Sequence, residues 1–216
     1  MRREKSKNEK SGFKTLLLSV LLSSPGPLVL GLGLTVGRSS TQISDFTRRS
    51  AELLAIIASF VVYCITNRKK GMEEVLKKKI EYGSNTFVGV IMCISGLSMI
   101  ALTFTSETEN KGNVAPALMI TLFGAITNTL LWRRYASLYK ELENAILGAQ
   151  ARLYRAKSVV DTCITLTLFV VAILPGSKIS YYFDMIGSVF VSIYMIKSGV
   201  NTIIDSRKAA KKIQIL

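Results

Sequence analysis

Ionisable side chains one helical turn apart, set inside apolar stretches, are the residues of this sequence equipped for chemistry. Asp45, Arg48, Arg49 and Glu52 open one such stretch, Lys157 and Asp161 open another, and Asp184 and Asp205 bracket a third. Asn128 sits in the middle of a fourth. Arg48 and Glu52 are four apart and share a helix face, with Asp45 a turn earlier on it. Lys157 and Asp161 repeat the same shape, a base, three residues, then an acid. Two carboxylates and two cations in apolar surroundings can hold a small ion, pass a proton, or lock helices together through ion pairs. Charges at membrane depth are costly, which makes function the first explanation to test. The plainer explanation is local salt bridges at helix ends, with Arg49 and Lys157 reaching back to water. It fits Glu52 and Asp161 less well, because several turns of apolar residues follow each of them.

The elements that carry these residues are membrane spans. The 216-residue chain is 49% hydrophobic, with a mean hydropathy of +0.36. Its apolar residues come in long blocks and its charges in short stretches between them. A block of about 20 apolar residues covers the roughly 30 Å hydrocarbon layer, where a helix satisfies its own backbone. Such blocks run from about Phe13 to Val36, Ile43 to Thr66, Tyr82 to Thr105, Val114 to Ala136, Ser158 to Leu174 and Tyr182 to Ile204. The fold expected is an all-α membrane protein, a six-transmembrane-helix bundle. Residues 1–13 form a basic cytoplasmic arm, 14–206 the transmembrane domain and 207–216 a short basic cytoplasmic tail. Pro25 and Pro27 predict a kink in the first span, and the longest loop, Leu138 to Lys157, reads as an amphipathic helix.

Charge sets the orientation. The N-terminal arm, the segments after spans two and four, and the tail region hold 23 Lys and Arg against 3 in the alternate segments. Basic residues stay in the cytoplasm, so both termini are placed inside. The same alternation explains the net charge of +14 without nucleic acid, since no aromatic-studded basic face accompanies it. The partners expected are the lipid bilayer, with anionic lipid at the cytoplasmic surface, and a small solute. Gly33-x-x-x-Gly37 permits close helix approach and with it a homodimer. The apolar N-terminal run has no small-residue cleavage site after it and reads as a retained helix. Cys64, Cys93 and Cys163 lie inside spans without paired spacing, so neither disulfides nor a zinc knuckle are expected. The chain has no His and no nucleotide, nucleophile or zinc-hydrolase motif. No enzyme activity and no cofactor are expected.

Laid along these spans, the sequence resembles the cation diffusion facilitator family of metal–proton antiporters, over roughly residues 14 to 206. That family's second span has a Gly-Ser entry and then Ala-Asp-x-x-His-x-x-x-Asp. The matching stretch runs from Gly37-Arg38-Ser39-Ser40 through Ser44-Asp45-Phe46-Thr47-Arg48 to Glu52-Leu53-Leu54. Its fifth span repeats His-x-x-x-Asp, in register with Lys157-Ser158-Val159-Val160-Asp161. Phe183-Asp184-Met185-Ile186-Gly187-Ser188 and Ile196-Lys197-Ser198-Gly199 look like the opening and close of its sixth span, and Lys79-Ile80-Glu81-Tyr82-Gly83 like its entry to span three.

The resemblance implies a substrate site made by Arg48, Glu52, Lys157 and Asp161, with Asp45, Asn128 and Asp184 around it or along its pathway. It also implies a cytoplasmic metal-binding domain after span six, which a chain ending at Leu216 is expected to lack. Both family histidines are cations in this sequence. Zinc takes neutral nitrogen, thiolate or carboxylate ligands; Arg offers no lone pair and Lys must first lose its proton. Glu52 and Asp161 remain as the expected metal ligands, and zinc held by the family's usual set is not expected. The leading expectation is a cell-membrane, multi-pass cation transporter, a cation/proton antiporter with an altered site. The alternative is a non-transporting relative, locked by Arg48–Glu52 and Lys157–Asp161 bridges, with a structural or regulatory role.

Overall fold

The protein is described by a computed structural model that covers residues 2–28, 40–68, 72–105, 115–174 and 177–214. Every long element among the described residues is helical: α1 (Arg2–Ser23), α2 (Ser40–Arg68), α3 (Glu74–Thr105), α4 (Ala115–Leu142), α5 (Ala145–Ile173) and α6 (Lys178–Gln214). The arm and the tail expected at the ends are helical too, as the first turns of α1 and the last of α6. Three stretches, Arg49–Asn67, Glu74–Ala101 and Met185–Lys211, are long and apolar enough to cross a membrane. The charges that open α2 do not shorten it.

Helix α1 ends where its prolines begin. Proline pushes the residue before it out of helical backbone and has no N–H to give the preceding turn. Ser24 accordingly forms a bend, its N–H still reaching Val20 O at 3.0 Å, and residues 25–28 resume as a single turn. The expected kink is therefore a break.

The segment expected as the longest loop is not a loop. Helix α4 continues to Leu142, α5 begins at Ala145, and two residues join them. Glu143 turns the chain with a positive φ of 49°. Asn144 then caps α5, its side chain accepting from the N–H of Ile146 and of Leu147, which satisfies two donors a helix start would otherwise leave bare. The two-residue connection makes α4 and α5 an antiparallel hairpin. Tyr135 stacks on Tyr154, with ring centroids 5.4 Å apart, and Thr129 Oγ1 meets Ser158 Oγ at 2.6 Å.

Helices α3 and α6 form a second antiparallel pair, close enough to require glycine. A Cβ on Gly199 would lie 2.6 Å from Gly89 O, and one on Gly96 would lie 2.9 Å from Ser192 O. Seven residues separate Gly89 from Gly96 and Ser192 from Gly199, so the contact repeats every two turns along both helices. Small residues that let backbones touch are how helices pack where no hydrophobic force separates protein from solvent.

Helix α2 lies against α5, α3 and α1. It runs antiparallel to α5: Glu52 faces Lys157, and seven residues on, Ser59 faces Gln150, whose Nε2 donates to Ser59 Oγ at 2.7 Å. Ile56 and Leu153, midway between these pairs, are fully buried. The interior as a whole is mixed, with Ser19, Ser59, Gln150 and Ser192 fully buried, while the outside carries large apolar side chains such as Leu54, Leu97, Phe104, Leu130 and Phe190. An apolar exterior over a polar-seamed core is what a bilayer asks of a helix bundle.

Candidate functional site

The charged face expected on α2 and the one expected on α5 meet inside the bundle. Glu52 is buried, with 3% of its side chain exposed, and Lys157 keeps only 14% of its own. Lys157 Nζ lies 3.3 Å from Glu52 Oε2 and 5.4 Å from the centroid of the Tyr154 ring. The ammonium is thus held between a carboxylate and an aromatic face, both of which favour its charge. It neither reaches back to water nor pairs with Asp161 one turn along its own helix. It bridges to the neighbouring helix.

Asp161 is positioned from α4. Asn128 Nδ2 donates to Asp161 Oδ2 at 2.6 Å, and Gly124, one turn away, leaves room for the carboxylate. A Cβ on Gly124 would come within 2.8 Å of Asp161 Oδ2. Asn128, a polar residue in an apolar run, therefore orients an acid rather than marking a gap in the helix.

These residues line one cavity of about 330 Å³. Glu52, Asn128, Lys157 and Asp161 form its polar wall; Leu21, Phe123 and Met195 contribute apolar surface. Two further contributors lie outside the expected site. The Pro25-Gly26-Pro27 turn after α1 closes one side, and Arg49, expected to stretch to water, lines the cavity beside Gly26. Arg49 stands three residues before Glu52, which places both on one helix face. For the turn the two prolines are a signal of broken helix, and non-helical backbone at membrane depth is tolerated where protein buries it or where it lines a cavity.

Toward the basic ends of the helices the cavity is sealed. Tyr135, Leu153, Tyr154, Ile56 and Gln150 are fully buried. The two tyrosines are tied to α1, Tyr135 donating to Ser19 Oγ at 2.7 Å and Tyr154 OH lying 3.1 Å from Ser23 Oγ.

Asp45, Arg48 and Asp184 stand on described helices, but their side chains lie outside the described residues, as do Gly33 and Gly37 entirely. Asp205 is elsewhere: it pairs with Arg152 at 2.6 Å near the end of α6, both side chains about half exposed, where an ion pair contributes little. Among the described residues no three Asp, Glu or Cys side chains gather as a metal cluster. What the cavity offers is two carboxylates, an amide and two fixed cations, a self-neutralising wall that suits an ion of low charge or a charge-balanced solute.

A sequence profile of the cation efflux transmembrane domain matches residues 16–209 of the chain. No curated protein matches the sequence.

Proposed function

The chain belongs to the cation efflux family, a family of membrane cation transporters, and from that premise we propose that it carries a cation through the α2–α5 cavity in exchange for protons. The observation that carries this reading is the convergence of Glu52 on α2, Asp161 on α5 and Asn128 on α4 on one cavity inside the bundle. Buried carboxylates with an oriented amide are ligands for a cation, and two acids at membrane depth are also the usual carriers of coupled protons. Lys157 and Arg49 act as tethered countercations that keep the empty cavity neutral. Six spans with both termini in the cytoplasm put the cavity near the middle of the bilayer, where transporters of this build hold their cargo. Asp45, Arg48 and Asp184 belong to its surroundings and pathway.

Reconstituted protein tests this. In proteoliposomes holding a pH-sensitive dye, a cation gradient is expected to drive proton movement the other way. A well-folded protein that moves no cation from a panel of monovalent and divalent ions overturns the reading.

A further inference from the structure

Resting on that transport reading, we infer that Lys157 sets the charge class of the cargo, holding the cavity to monovalent cations and excluding divalent ones. The argument begins with the ion pair. Glu52 is the more deeply buried of the two carboxylates, and its Oε2 lies 3.3 Å from Lys157 Nζ. A cation that takes Glu52 as a ligand meets the ammonium at contact distance. On one side the Tyr154 ring, fully buried and stacked on Tyr135, stands against the ammonium.

The charge inventory of the described wall points the same way. Among the described lining residues, the charges of Glu52 and Asp161 balance those of Lys157 and Arg49. Each arriving cation is then uncompensated, and the Born cost of an uncompensated charge in a poor dielectric rises with its square. A divalent ion costs about four times as much as a monovalent one. A divalent ion also needs several anionic or neutral donors at once, yet among the described residues no cluster of three acidic or thiol side chains exists. A monovalent ion needs less: one carboxylate shared with an amide oxygen or water. The Asp161–Asn128 pair, one helical turn along α5 from Lys157, supplies that, in a cavity of about 330 Å³ with room for retained water.

Removing the ammonium takes away the positive charge beside Glu52 and shifts the balance of these side chains toward negative. Lys157→Gln is therefore expected to admit divalent ions. The experiment compares uptake of radiolabelled rubidium and manganese into proteoliposomes holding the full chain. Wild type is expected to favour rubidium by about tenfold or more, and Lys157→Gln to lower that ratio by about tenfold or more. Lys157→Arg, which keeps the charge, retains the preference; Glu52→Gln/Lys157→Gln, which removes the carboxylate's charge as well, gains no manganese uptake. Equal uptake of both ions by wild type, or a ratio within about twofold of wild type in Lys157→Gln, overturns the inference and leaves the transport reading standing. Should Lys157→Gln fail to fold, the wild-type ratio decides alone. Uptake of neither ion overturns the inference, and the wider panel of cations decides the transport reading.

Discussion

Lys157 on α5 bridges to Glu52 on α2, at 3.3 Å, rather than to Asp161 one turn along its own helix. An ion pair between helices does what a pair within one helix cannot: it fixes the register of α2 on α5. Ser59 and Gln150 keep the same register two turns away. The coupling is therefore expected to show in stability. A double-mutant cycle with Glu52→Gln and Lys157→Gln, read from unfolding of the detergent-solubilised protein, should give an interaction of about 1–3 kcal/mol. Lys157→Met alone, which removes the ammonium beside the buried Glu52 carboxylate, should cost about 3 kcal/mol. An interaction of zero would mean that the pair does not tie the helices.

The α3–α6 contact makes a contrasting pair of glycine predictions. Gly199→Leu drives a side chain into Gly89 O and the Cys93 side chain and should cost about 2 kcal/mol or more. At Gly83, on the same helix as Gly89, an added Cβ meets nothing within 4 Å. Gly83→Ala should leave stability unchanged or raise it by up to about 1 kcal/mol, through helix propensity alone. Thermal melting of the two variants side by side checks both, and equal losses would contradict the close packing.

The helices were largely legible in the sequence because apolar block length is a local property. The blocks at Ile43–Thr66 and Tyr82–Thr105 fall inside α2 and α3. What was hidden depends on neighbours. Leu138 to Lys157 reads as an amphipathic helix in the longest loop, yet Ile146, Leu147 and Gln150 are fully buried inside the bundle. The signal for the true turn was one residue, Asn144 ahead of an apolar run, a helix start rather than a loop interior. Glu52, Asn128, Lys157 and Asp161 could be singled out, since each is a polar group that apolar surroundings must accommodate. Their pairing could not: spacing along one helix suggests Lys157–Asp161, and only the packing of α2 on α5 reveals Lys157–Glu52. Arg49, expected to reach water, lines the cavity for the same reason.

Topology follows from charge and is open to direct labelling. In a background without Cys64, Cys93 and Cys163, single cysteines at Lys10, Lys78, Lys140 and Lys211 should all react with an impermeant thiol reagent only from the cytoplasmic side. Reaction of Lys140→Cys from the opposite side to Lys10→Cys would contradict the six-span, inside–inside arrangement.

Asn128 separates orientation from charge. Asn128→Leu leaves both carboxylates in place but removes the 2.6 Å donor to Asp161. Transport should fall by about tenfold, as expected when one hydrogen bond to a charged group is lost, while Asn128→Ser should recover part of it. Equal activity in Asn128→Leu and wild type would show that Asp161 needs no orienting partner.

The central claim is that a cation crosses the membrane by way of Glu52 and Asp161. The most direct measurement is cation-driven proton movement in proteoliposomes for wild type, Glu52→Gln and Asp161→Asn, each checked for monodisperse folding before reconstitution. Proton movement by wild type, lost in both variants, is the result predicted. Movement that persists at the wild-type rate in either variant would contradict it, by showing that the cargo takes another route.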